Sequence, residues 1–344
     1  MKIPLLLLTM AGAVLALAAT ASAQTQSGVV NALCSTDASW CEAAAAEFHR
    51  TTGINVNQAH KGTGEIGAQL RAEAANPKTD LWWGGTGAPF LQAAEQGLLE
   101  PYRPPYINDL HEWAVRQYAM SGNMVGGFYT SAIGFGYNTD VLSKKHLPEP
   151  RCWADLIKPA YKGEIEISHP ASSGTAYTII AGLVQLMGED AAFDYLKKLH
   201  VNTTVYTRSG QAQAPNVAKG EVGIGVSFIF GFDKWRYDKF PVKTAAPCEG
   251  TGYEVGGIAL VKGGRNRDNA KRYYDWLMSP AGQAIGGKAG SLQSPANKTF
   301  KPDPRIPSMA SVKLVKYDFE KYGKAAERKR LIERWTKEVE ALPR

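Results

Sequence analysis

The residues best suited to chemistry are short hydroxyls and glycines that recur at one kind of position. His169-Pro170-Ala171-Ser172-Ser173-Gly174-Thr175 lies between an alternating, strand-like segment (162–168) and an apolar run of helical length (179–187). A helix start offers up to four unpaired N–H donors and a partial positive charge. Ser172, Ser173 and Thr175 add hydroxyls there, and Gly174 lets a ligand approach the backbone. That is the chemistry of an oxyanion cradle without a formal charge. Taken alone, the same residues also make an ordinary N-cap. Ser35-Thr36, Thr63-Gly64 and Gly85-Thr86 repeat the pattern earlier in the chain. One such turn arises easily by chance; three, facing a fourth, form a set. Tyr129, Thr130, Ser209 and Glu254 are further candidates by position, with Glu254 or Glu249 able to meet a hydroxyl or an amine. His60 stands next to the Gly-Thr turn.

The elements that must position these residues follow from the hydrophobic pattern. A β-type run at 29–33 leads through a helix at 39–50 to a strand at 54–57, which predicts a parallel sheet. Lys61-Gly62-Thr63-Gly64-Glu65 then opens a helix at 66–75, without the glycine-lysine spacing of a nucleotide P-loop. A third strand at 80–83 ends at Gly84-Gly85-Thr86-Gly87 and a helix at 89–96. Ligands of open α/β sheets bind at the carboxyl ends of strands, where these turns fall. The glycine-rich segment 127–138 reads as a long strand crossing between lobes, and 252–261 as its return. Segments 221–230 and 240–246 are β-like; 190–199, 266–278, 280–286 and 325–342 read as helices. The expected organisation is α/β with two lobes, 28–130 plus 256–310 and 135–250, and a C-terminal helical segment at 311–344.

Composition bounds the function. The chain has 344 residues, is 44% hydrophobic and carries a formal charge of +7, spread out except for the basic run 324–334. No basic stripe interleaves with aromatics, which argues against nucleic acid. Residues 1–23 have the pattern of a secretory signal peptide, with an apolar core and cleavage after Ala23 in Ala21-Ser22-Ala23. No other stretch is apolar enough to span a bilayer. The even count of cysteines, Cys34, Cys41, Cys152 and Cys248, suits two disulfides in an exported chain. Three pairings are possible; a local Cys34–Cys41 loop with a long Cys152–Cys248 loop is the favoured one. No Cys-x-x-Cys pair or histidine cluster marks a metal site.

Four segments in this order carry a family resemblance: 80–87, Gly134-Phe135-Gly136-Tyr137-Asn138, 153–163 and Ser172-Ser173-Gly174-Thr175. Together they resemble the periplasmic solute-binding proteins of ABC importers, in the AfuA-type branch of the group that binds ferric iron, phosphosugars or phosphonates. The segment 247–254 strengthens the resemblance. It implies a type II periplasmic binding protein fold with two crossing hinge strands, a ligand in the interlobe cleft and hinge closure around it. It also implies a monomeric periplasmic protein with no cofactor and no catalysis, partnered by ABC transporter membrane subunits.

Ferric binders use a tyrosine pair. Tyr273-Tyr274 is the adjacent pair here, but it lies within the expected helix 266–278 and its rings point to different faces. A phosphate or phosphonate group fits better among Ser35, Thr36, Thr63, Gly64, Gly85, Thr86, Ser172, Ser173, Gly174 and Thr175, because bonds to a charged acceptor are the stronger ones. Sugar-phosphate binders of this branch are expected to carry a His-Asp pair after the strand at 222–228. This sequence has Phe230-Gly231 there, with Asp233 displaced. Phe230, Phe232 and Trp235 can then pack on a less polar organic group, or equally in the core. The rival readings are a ferric-ion binder and an exported enzyme acting on a phosphorylated compound. Against the enzyme, no nucleophile-base pair and no Gly-x-Ser-x-Gly context is visible.

Overall fold

The expected β-α-β opening is present in the computed structural model, which describes residues 28–344. The expected signal peptide lies outside the described residues. β1 (Val29–Cys34) pairs in parallel with β2 (Asn55–His60) and with β3 (Leu81–Trp83). The helix Ala38–Thr52 joins the first two and buries Trp40, Cys41, Ala44 and Phe48, a spacing that keeps them on one face. β4 (Leu99–Glu100) is a short edge piece.

β5 (Gly126–Asn138) is the long crossing strand, buried along its whole length. In the second lobe β6 (Ile165–Ser168) runs parallel to β7 (Thr203–Thr207) and to β8 (Ile224–Phe228). β8 and β9 (Val242–Ala245) pair antiparallel with the far half of β5. The chain returns through β10 (Tyr253–Val261), which pairs antiparallel with β3, β4 and the near half of β5. β11 (Ser294–Pro295) adds to that near half. β5 is thus shared between two groups of strands, and β10 lies beside it.

Each lobe has its own core. In the second, the helix Gly174–Met187 is buried from Gly174 to Val184, as a mostly apolar helix covered on several sides must be. In the first, Tyr273 and Tyr274 are buried; Tyr273 packs on Phe48 with ring centres 4.7 Å apart. They are packing residues, as their helical spacing implied. The disulfides join Cys34 to Cys41 and Cys152 to Cys248.

Two sequence readings need correction. The β-like run 221–230 is a strand only over Ile224–Phe228, and a helix Ile229–Tyr237 starts at its end. An apolar run without polar alternation does not distinguish strand from helix. That helix buries Phe232 completely against the backbone of β5 and β8, where a side chain on Gly136 would collide with its ring. Phe232 is therefore core, not cleft. The expected terminal helix 325–342 is regular over Ala325–Trp335 and continues as a wider turn over Thr336–Glu340.

Candidate ligand-binding cleft

Between the two groups of strands lies a cleft of about 630 Å³. The N-cap or first turn of six helices reaches its wall: those beginning at Ala38, Thr63, Gly87, Gly174, Gln213 and Ile229. Each follows a strand end or a tight turn, so each turns the positive end of its dipole toward the same space.

The tightest part is where the lobes meet. Thr63 Oγ1 and Thr86 Oγ1 lie 3.2 Å apart. The Gly174 backbone comes so close to them that a Cβ there would sit 1.7 Å from Thr86 Oγ1 and 2.7 Å from Thr63 Oγ1. Ser173 Oγ and Thr175 Oγ1 stand beside Gly210 on the second-lobe side. The turn after β3 places Gly84 and Gly85 at φ 73° and 84°, a conformation that glycine adopts without a steric cost. Tyr129, fully buried behind this turn, is hydrogen-bonded to the Gly85 N–H. Burial holds its phenol far above the ordinary range, so it stays a neutral hydroxyl.

Of the expected site residues, Ser35, Thr36, Thr63, Gly85, Thr86, Tyr129, Ser172, Ser173, Gly174, Thr175, Ser209 and Glu254 line the cleft, while Gly64, Thr130, Glu249 and Phe232 do not. Gly64 instead sits in the first turn of the helix Thr63–Glu73, where a Cβ would lie 3.0 Å from the Ser172 carbonyl oxygen. It governs how closely the lobes approach. The cap and wall roles coexist. Ser173 Oγ accepts from Ala176 N at 3.4 Å, capping its helix, while its backbone faces the cleft. Ser172 Oγ donates to the Arg208 carbonyl at 3.0 Å and closes the rim. Ser35 Oγ accepts from Trp82 Nε1, and Thr36 Oγ1 from Gln293 Nε2 at 3.2 Å. Ser209 Oγ faces the Gln211 N–H at 3.5 Å.

Glu254 is the buried acid of the site. Burial pushes its carboxyl well above the usual range, opposed by the Gly87 N–H, and Oε2 has no partner. Thr130, by contrast, is spent on the Glu254 carbonyl at 2.6 Å. Glu249 accepts the Trp153 and Ala154 N–H groups at 2.8 and 2.9 Å and is a scaffold residue. Phe230 and Trp235 do line the cleft, and so does His60, whose ring meets the Thr36 carbonyl at 2.7 Å. Asp233 is buried away from the cleft, paired with Arg236 at 2.9 Å and Thr244 at 3.1 Å.

Sequence reading missed Asp37, Lys61, Arg208, Gln211, Lys234 and Gln293, which also line the cleft. Lys61 and Arg208 follow the ends of β2 and β7, so the strand-end rule that found the hydroxyls reaches them too. Lys234 lies in the helix Ile229–Tyr237, which begins at the end of the run 221–230 read as β-like and was not expected there. Arg208 pairs with Glu65 at 2.8 Å across the cleft mouth, linking the two lobes in a closed arrangement. The half-buried Asp37 is raised by burial, with Lys234 and His60 acting the other way.

Residues 78–321 match the family model for bacterial extracellular solute-binding proteins. The chain belongs to this family. Among solved members of the fold, the periplasmic binding protein AfuA of Actinobacillus pleuropneumoniae, with exogenous fructose-6-phosphate bound, is 41% identical. It superposes with a TM-score of 0.88, over 92% of this chain and 99% of that one. The periplasmic binding protein P5PA is 34% identical, with a TM-score of 0.87, over 91% of this chain and 99% of that one. An uncharacterized protein of Haemophilus influenzae is 43% identical over 89% of each chain. As a solute-binding protein of this family, the chain has its cleft where the two lobes close.

Proposed function

We propose that this solute-binding protein is the periplasmic component of an ABC importer, capturing a small organic phosphate or phosphonate and delivering it to the membrane permease. The observation that carries this reading is the meeting of Thr63, Thr86 and the Ser173–Thr175 turn with six helix starts in one cleft. Converging neutral donors hold an oxyanion well, because each bond is charge-assisted. The fructose-6-phosphate bound to the AfuA relative adds support from a chain 41% identical. Export to the periplasm fits the signal-peptide pattern ending at Ala23.

The organic part of the solute meets different chemistry. Phe230 and Trp235 offer it apolar surface, and the unpartnered Glu254 Oε2 offers a polar contact. The solute we infer therefore has an oxyanion at one end, an apolar face and at least one hydroxyl or amine. Direct ferric binding is disfavoured, because the adjacent tyrosines Tyr273 and Tyr274 are locked in the first-lobe core.

A thermal-shift panel on refolded, ligand-stripped mature protein tests the reading. It contains sugar phosphates, aminoalkyl phosphonates, inorganic phosphate, plain carboxylates and Fe(III)-citrate. A ligand that binds only the folded form raises the midpoint. The expected result is a shift with an organophosphate. A shift with iron alone, or with carboxylates and no phosphorus compound, contradicts the proposed solute.

A further inference from the structure

The basic run 324–334 is not a uniform charged surface. Arg330 and Arg334 reach Glu189 at 2.7 and 2.8 Å, and Lys329 lies on the outside, 3.7 Å from Glu333. Arg328 alone of this run points inward, and is 8% exposed. Its guanidinium lies over the Tyr177 ring, 4.9 Å from the ring centre, and Nη2 donates to the Pro170 carbonyl at 3.1 Å. Nη1 has no partner.

Among the described residues no carboxylate pairs with Arg328. The neighbouring groups that feel its charge are Tyr177, Tyr317 and another cation, Arg71. Burial lowers its pKa to about 10, which leaves it charged at neutral pH. A buried charge without a counter-charge is costly, so its retention calls for something that offsets it.

Its location supplies that offset. Pro170 lies two residues before Ser172, and Tyr177 lies in the first turns of the helix that starts at Gly174. Arg328 thus grips both sides of the Ser172–Thr175 turn from behind. The helix that carries it also bridges the lobes: Ala325 N donates to Glu95 Oε2 at 3.1 Å in the first lobe.

We propose that Arg328 is a counter-charge for the solute's oxyanion additional to Lys61, Arg208 and Lys234 of the cleft wall, a buried cation that the C-terminal helix holds behind the Ser172–Thr175 cradle. It does not line the cleft, so it is a positioning residue that acts through its field and through the Pro170 carbonyl. This rests on the oxyanion reading of the cleft. The cation adds to the positive end of the helix Gly174–Met187, and low-dielectric surroundings keep its field from being screened.

The test uses mature protein with Arg328→Gln, Arg328→Met and Arg328→Lys, and Lys329→Met as a control for net charge. Dissociation constants for fructose 6-phosphate and inorganic phosphate are measured by calorimetry, together with the ligand-free unfolding midpoint. Gln keeps a neutral amide donor and removes the charge and the guanidinium over Tyr177. The expected result is an affinity loss of about tenfold for Gln and Met. Lys retains most of the affinity, and Lys329→Met retains all of it. The ligand-free midpoint of Gln or Met stays at or above wild type, because an unmatched buried charge has been removed.

Wild-type affinity in Arg328→Gln overturns the proposal, as does an equal loss in Lys329→Met. A lowered midpoint with unchanged affinity marks Arg328 as structural only, and failure of both neutral variants to fold does the same. Wild-type protein that takes up neither probe removes the oxyanion itself. It overturns the reading of the cleft, and with it this one.

Discussion

At one end of the cleft Thr63, Thr86 and Gly174 converge, each at the start of a helix. At the other, Phe230, Lys234 and Trp235 belong to the single helix Ile229–Tyr237. The first end is made of backbone N–H groups and the shortest hydroxyl side chains, which are already ordered by the fold. Little rotamer freedom is lost when a ligand arrives. The second end is made of long or bulky groups that can rearrange. A rigid donor array suits a group common to many solutes, and a side-chain wall suits the part that distinguishes them. Under the proposed oxyanion reading, the first end would set whether an oxyanion binds, and the second which one.

The most damaging change to the rigid end is Gly174→Ala. Its Cβ would lie 1.7 Å from Thr86 Oγ1, a contact between lobes rather than within one. Affinity for an organophosphate should fall roughly a hundredfold while the ligand-free midpoint hardly moves. A retained affinity would mean that the lobes need not close as tightly as described. Thr175→Ala removes one hydroxyl and should weaken inorganic phosphate and organophosphate alike, by about tenfold in calorimetry. An effect on one of them alone would break the division between the two ends.

Trp235→Ala should act on the other end only. The expected loss is about three- to tenfold for an organic phosphate with an apolar face, and none for inorganic phosphate. Glu254→Gln gives the smallest effect and reads protonation. Burial raises the folded-state pKa of Glu254 above its ordinary value of 4.5. A carboxyl of that kind takes stability away as pH rises past the unfolded value, because the folded state then holds the extra proton. The midpoint of Glu254→Gln, relative to wild type, should climb as pH rises past the ordinary value of 4.5. A difference that does not vary with pH would show that Glu254 is charged in the ligand-free cleft.

The same contrast explains how much was legible in the sequence. Hydroxyl turns such as Thr63-Gly64 and Gly85-Thr86 are local: strand, turn and helix are adjacent in the chain, and the strand-end rule assembles them. The crossing strand β5 was legible for a related reason, since a long glycine-rich extended run has few other uses. The far wall was not local. Phe232 and Trp235 stand three residues apart on one helix, yet Phe232 is core and Trp235 lines the cleft. Which face turns inward is decided by the room above Gly136 and Gly225, and no periodicity in a nine-residue helix reveals it. Gln293 comes from a loop 257 residues away from its partner Thr36. Arg328 was visible as part of a basic run but not as its one buried member, because burial there depends on Tyr177 and on Pro170, 158 residues earlier in the chain.

The central claim is that the cleft selects its solute by an oxyanion. It is tested most directly by titrating ligand-stripped mature protein calorimetrically with the organophosphate that raises the midpoint most in the thermal-shift panel and, separately, with its dephosphorylated counterpart. The account predicts saturable binding of the phosphorylated compound, weakened by Thr175→Ala, and no measurable binding of its dephosphorylated form. Equal binding of both, or binding of the phosphorylated compound that Thr175→Ala and Gly174→Ala leave intact, would contradict it.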